Sequence, residues 1–204
     1  KKSDTLQFKS TFEWGFLGSS CKKFEWKSIK RAEHFEDTFV EFAHRLPFYG
    51  SVVACVDDER VVEILPRLSR RVITYGLSAN ADVRAVNLRH EKGRMIFDVL
   101  LSDRLDIKID RLDNVQFPML GEHNVQNCLA AISICLEMAI DPEIILSGLR
   151  QFKGVGRRFD FKGETDGITV IDDYGHHPVE IRAALSAGRM RAEQNKLIAV
   201  VQPH

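Results

Sequence analysis

Two carboxylates, a phenol and two imidazoles crowd into one short run near the end of the chain, Asp172-Asp173-Tyr174-Gly175-His176-His177-Pro178. Apolar Ile168 to Ile171 leads in as a strand, and Pro178 suits the first turn of a helix leading out. A strand-to-helix loop sits at the carboxyl end of its strand, where α/β sheets bind ligands. Titratable groups gathered there are costly unless they do chemistry or recognition. A carboxylate of this run can accept two hydroxyls of a ribose, and an imidazole can meet an anionic group of a substrate. Asp and His also ligate metals, but adjacent histidines point apart and no further ligands are spaced to close a site, so no metal ligand is assigned. No serine stands in a nucleophile-elbow setting, which argues against a Ser-His-Asp hydrolase.

Two other runs carry polar groups at informative places. Gly121-Glu122-His123-Asn124-Val125-Gln126-Asn127 opens a long helical pattern, with Asn124 and Asn127 on one face and His123 at the cap. A carboxamide offers both a donor and an acceptor, which suits the edge of an adenine. The same spacing also fits Asn124 capping the helix with His123 on the surface. Gly154-Val155-Gly156-Arg157-Arg158-Phe159 superficially resembles a dinucleotide loop, but a strand follows it where that motif needs a helix. Its paired arginines could clamp a phosphate or carboxylate, or be plain surface charge. No G-x-x-x-x-G-K-[ST] phosphate loop occurs in the sequence.

The elements that must position these runs are legible in part. Phe35, Phe39, Phe42 and Leu46 recur at helical spacing between Glu33 and Leu46. Ser51–Val56, a helix from Glu59 to Arg70 and Val72–Tyr75 form a β-α-β unit, the building block of a parallel sheet. Val83–Leu88, Met95–Leu101 and Leu105–Ile109 alternate as antiparallel strands. Helices follow over Asn124–Ala139 and Pro142–Phe152, and Gly154-Val155-Gly156 reads as a hinge. Beyond it come strands at Phe159–Lys162 and Ile168–Ile171, a helix from Pro178 to Arg191, and a strand over Leu197–Val201. The expected class is α/β: a parallel sheet with a small antiparallel sheet, then a truncated Rossmann-like unit. Residues 1–34 mix Lys, Ser, Phe and Trp without periodicity and stay unassigned.

Composition narrows the setting. The 29 basic and 29 acidic side chains cancel, so nothing in the balance argues for nucleic acid or an anionic membrane surface. Cys21, Cys55, Cys128 and Cys135 form no C-x-x-C pair, and the last two share a helical face as small core residues. A reduced, cytoplasmic setting is expected. Oligomeric state leaves no mark on the sequence.

Taken in order, the runs at Gly121–Asn127, Gly154–Phe159 and Asp172–Pro178, with Phe39-Val40-Glu41-Phe42 through Leu46-Pro47-Phe48-Tyr49-Gly50 before them and Gln202-Pro203-His204 after, resemble the Mur ligases. These are the ATP-dependent amide-forming enzymes of peptidoglycan assembly. Tyr174 and Gly175 favour the branch that joins L-alanine to UDP-N-acetylmuramate over the related branch that adds a tripeptide. The resemblance, covering about Phe35 to His204, implies that residues 35–153 are the later part of a central ATP-binding domain and 154–204 the beginning of a C-terminal Rossmann-like domain. It implies ATP and Mg2+ as cofactors, with His123, Asn124 and Asn127 at the adenine, Arg158 near phosphate and Asp173 near ribose. Tyr174 and His176 would line the substrate pocket, with His176 and Arg158 as catalytic residues. In the family ATP phosphorylates the muramyl carboxylate, and the amine then attacks the acyl phosphate.

The sequence also departs from the family. The phosphate loop, the Glu and His that hold magnesium and the UDP-binding domain are missing, and the arginines that follow the Gln-Pro-His motif are not reached. A partial gene product without ligase activity of its own is the expectation, and a non-catalytic remnant that packs against a partner is the alternative.

Overall fold

The computed structural model describes residues 5–8 and 35–201. The unassigned N-terminal segment therefore falls almost wholly outside the described residues, as does Gln202-Pro203-His204. Among the described residues the strands β1 (Thr5–Phe8), β2 (Ser51–Cys55), β3 (Arg71–Gly76), β4 (Val83–Glu91), β5 (Arg94–Leu101) and β6 (Arg111–Phe117) form one sheet in that order. The first four pair in parallel and β5 pairs antiparallel with both β4 and β6, so the expected antiparallel strands continue the parallel ones in a single mixed sheet.

β2 is buried along its whole length, as a parallel strand covered on both faces must be. Its alternation decides which side each residue serves. Val53 and Cys55 face one core with Ile73 and Tyr75, under α3 (Glu122–Glu137). Val52 and Ala54 face the other, under α1 (Phe35–His44) and α2 (Glu59–Ile64). Each large aliphatic side chain buried this way contributes about 1.5–3 kcal/mol. Asp58 caps α2 by accepting from Arg60 and Val61 N–H. The helix expected to reach Arg70 stops at Ile64 and tightens into a 3-10 turn over Leu65–Arg67, because Pro66 has no N–H to continue the ladder.

Parallel neighbours usually need a crossover of about a dozen residues. β3 and β4 are joined by Leu77 to Asp82 alone, and pair only at Tyr75 with Val83 and Gly76 with Arg84. A buried reciprocal contact closes this short loop. Thr74 N–H and Oγ1 donate to Asp82 Oδ2 at 3.0 and 2.7 Å, and Asp82 N–H donates back to Thr74 Oγ1 at 2.9 Å.

Two expected strands are corrected. Leu105–Ile109 is a connection, because its backbone bonds are local, Leu105 N–H to Ser102 and Ile107 N–H to Leu105. Its apolar residues still pack on the core, and the strand lies further on at β6. That strand was hidden by irregularity: against β5, an extra residue bulges β4 between Val86 and Arg89 and β6 between Leu112 and Val115. Leu197–Val201 is not a strand either. A strand needs a lateral partner, none lies beside it among the described residues, and Val200 is 95% exposed.

After α3, α4 (Pro142–Gln151) is capped by Asp141, which accepts from Glu143 N–H. The hairpin β7 (Asp160–Thr165) and β8 (Ile168–Asp172) turns on Asp166-Gly167, both left-handed, as a two-residue hairpin turn requires. The chain then enters α5 (Pro178–Ala192), whose Ala187 is fully buried with the main core. No helix among the described residues is long and apolar enough to cross a membrane.

Candidate functional site

The Asp172–Pro178 run is shaped from the helix that follows it. Pro178 at the first helical position has no N–H to leave unmade, and His177 caps α5 through its ring nitrogen and Val179 N–H. Glu180 reaches back in a capping box: its Oε2 accepts from His176 and His177 N–H, each at 3.1 Å. Its Oε1 lies 3.8 Å from the Arg158 guanidinium and its Oε2 3.7 Å from His176 Nδ1. One largely buried carboxylate thus faces both residues assigned catalytic roles from the sequence.

Asp173 binds the two loops together. Its Oδ2 accepts from Phe159 N–H at 2.9 Å and its Oδ1 from Gly175 N–H at 2.7 Å, while Tyr174 N–H donates to Arg157 C=O at 2.8 Å. The loop it grips is strained. Arg157 and Phe159 have φ of 60° and 49°, a region that side chains other than Gly rarely adopt. Arg158 is held between them. Its neighbour Arg157 lies over the Tyr174 ring at 4.5 Å, and Tyr174 meets His176 edge-on at 5.7 Å. Tyr174 and His176 are exposed, while Arg158 and Asp173 are half-buried. Below them Lys162 is raised by its bond to Asp160, and Asp160 is lowered by the same bond.

The Gly121–Asn127 run is more deeply embedded. Asn124 is buried, donates from Nδ2 to Leu120 C=O at 2.8 Å, and faces Asn127 Nδ2 with its Oδ1 at 3.5 Å. It is tied into the turn, and the half-buried Asn127 and His123 are left nearer the surface. Gly121 has φ of 100°, and a Cβ there would meet the His123 ring at 2.7 Å and Ala187 Cβ at 3.5 Å. That contact joins the run to α5, about 15 Å along the helix from the His177 cap.

The structure therefore interlocks two of the three runs directly, and ties the third to them through α5. Sequence reading missed Glu180, although Pro at the first helical position and Glu two residues later is a helix-start signal. It missed Asp57 as well, which lies past the end of β2 and carries no motif. Burial pushes the thiols of Cys128 and Cys135 up, away from the reactive thiolate form. Among the described residues no group of three or more His, Cys, Asp or Glu side chains is placed to hold a metal ion. The donor set does fit a nucleotide: a carboxamide for a base edge, a carboxylate for ribose and a guanidinium for phosphate.

The family model described as the Mur ligase middle domain matches residues 28–135, and the one described as the Mur ligase, glutamate ligase domain matches residues 157–204. The chain is 46% identical over 172 residues to UDP-N-acetylmuramate–L-alanine ligase of Geobacter sulfurreducens, covering 84% of this chain and 36% of that protein. It is 52% identical over 174 residues to the ligase of the same name from Rhizorhabdus wittichii, covering 83% and 36%. It thus spans about a third of the length of these relatives. The fold is similar to MurF from Acinetobacter baumannii, with a TM-score of 0.63 and 26% identity over 73% of this chain and 31% of that one. UDP-N-acetylmuramate-alanine ligase of Thermotoga maritima gives 0.65 at 23% identity, over 81% and 35%.

Proposed function

Because the chain belongs to the Mur ligase family, we propose that it carries the adenine side and the acceptor side of an ADP-forming ligase joining L-alanine to UDP-N-acetylmuramate, in cytoplasmic synthesis of peptidoglycan precursors. Residues 35–153 are the later central domain and 154–204 the start of the C-terminal one. The observation that carries this reading is the interlocked loop pair presenting Arg158, Asp173, Tyr174 and His176, in a chain 52% identical to an L-alanine ligase.

ATP supplies the activation, turning the muramyl carboxylate into an acyl phosphate. His123 and Asn127 meet the adenine, with Asn124 holding Asn127 in place. Each Asp173 oxygen accepts one backbone N–H and keeps a lone pair for a ribose hydroxyl. Arg158, oriented by Glu180, stabilises charge on the transferring phosphoryl group, as a guanidinium in a partly water-excluded cleft can. Tyr174 and His176 face the amino acid and the muramyl group.

Grafting residues 35–201 in place of the matching segment of the Geobacter sulfurreducens ligase tests the reading. The chimera is expected to release phosphate from ATP in an L-alanine-dependent manner, and His176→Ala within it to lose about 100-fold, the usual size of one acid–base or charge-stabilising group. A folded chimera that is inactive, or that prefers a tripeptide, overturns it. This chain by itself, whose sequence has no G-x-x-x-x-G-K-[ST] run, is expected to bind ADP without alanine-dependent turnover.

A further inference from the structure

Asp57 belongs to none of the runs above, yet it gathers three elements. Both of its oxygens accept from Leu77 N–H at 2.9 Å. Oδ1 also accepts from Ser78 N–H at 2.9 Å and Ser78 Oγ at 2.8 Å, and Oδ2 from Gln126 Nε2 at 2.7 Å. The strand ends β2 and β3 are thereby pinned to the first turns of α3, at the carboxyl edge of the parallel strands, where α/β folds bind ligands. The approach is close enough to demand glycine, since a Cβ at position 76 would lie 2.5 Å from Asp57 Oδ1. Burial pushes the carboxyl up, and the bonds from Leu77, Gln126 and Ser78 outweigh it and hold it below the usual value. All of these donors are neutral, so the charge is held by oriented dipoles.

We propose that Asp57, acting through Gln126, is a positioning residue that sets the rotation of α3 about its axis and so places Asn127 and His123 for the adenine. A helix is stiff at this scale, and fixing one side chain fixes the azimuth of its neighbour about 100° further round. Gln126 directly precedes Asn127, whose Nδ2 already leans on Asn124 Oδ1. The proposal rests on the nucleotide reading of that turn, and its test separates the two.

In the full 204-residue chain, Gln126→Glu sets a second carboxylate against Asp57. The double variant Asp57→Asn with Gln126→Glu restores the pair with donor and acceptor exchanged. The readouts are the side-chain amide resonances of Asn127, the Kd for ADP by calorimetry and the thermal midpoint. Gln126→Glu is expected to move the Asn127 resonances and weaken ADP binding about tenfold, the size of one charge-assisted hydrogen bond. The double variant is expected to bring both back to within about twofold. Unmoved Asn127 resonances in Gln126→Glu, or a double variant that fails to restore them, overturn the proposal. A parent chain that binds no ADP overturns the nucleotide reading alone, because the resonances still decide the positioning.

Discussion

At the scale of single residues, three carboxylates organise the candidate site by accepting bonds from backbone N–H groups. Asp173 holds Phe159 and Gly175, Glu180 holds His176 and His177, and Asp57 holds Leu77 and Ser78. Asp173→Ala removes the acceptor that holds Phe159 left-handed, so amide hydrogen exchange at Phe159 and Gly175 is expected to accelerate at least tenfold, with the core amides unchanged. Asp57 has a pH signature. Its folded-state pKa is depressed, so its contribution is fully present above the unfolded value of about 3.9 and is lost as pH falls through the lower folded value. The stability difference between the parent chain and Asp57→Asn, measured by urea unfolding, is expected to stay constant above about pH 5 and to shrink below about pH 4. Residue types in short runs point to His176, Asp173 and Arg158 as candidates. Asp57 was illegible because its partners lie far along the chain, and only the fold brings them to it.

At the scale of elements, the sequence was most readable where one period ran without interruption, as in α3 and β2, and least where a bulge broke the alternation. The antiparallel strands β4 to β6 show why. Asn87 and Asn114 take φ of 55° and 52° at the irregular positions. Asp98 ties both to itself, its Oδ2 accepting from Asn87 Nδ2 and its Oδ1 from Asn114 N–H, with Arg111 as a third partner at 2.8 Å. Burial without these bonds would be costly for a carboxylate, so Asp98→Ala is expected to lower unfolding free energy by about 2 kcal/mol, read from denaturant midpoints. The Asn87→Gly change, which keeps the backbone conformation and loses one bond, is expected to cost less. Loss of equal size in both variants would show that backbone strain, not the carboxylate, sets the stability of this region. The Lys92-Gly93 turn, by contrast, is an ordinary two-residue hairpin legible from the residues themselves, whereas β7 runs on to Thr165, past the Lys162 end expected from the sequence.

At the scale of the whole molecule, burial is uneven among the described residues. The main core is closed on both faces of β2 and β3, whereas Phe161, Ile168, Val170, Ile198 and Val200 are all exposed on the last third. Apolar side chains exposed in this number favour association. Light scattering is expected to show self-association that rises with ionic strength, and Ile198→Lys with Val200→Lys to suppress it. The sequence foresaw these apolar positions as strand residues, but not their exposure among the described residues, because pairing is a property of neighbours and not of a segment. The small pair Gly121 and Ala187 gives this end a mechanical character. It lets the start of α3 approach α5 closely, and the histidine cap lies about 15 Å along α5 from that approach. A tilt of about 10° about this contact would carry the loop at the histidine cap through roughly 2–3 Å, enough to make or break a hydrogen bond.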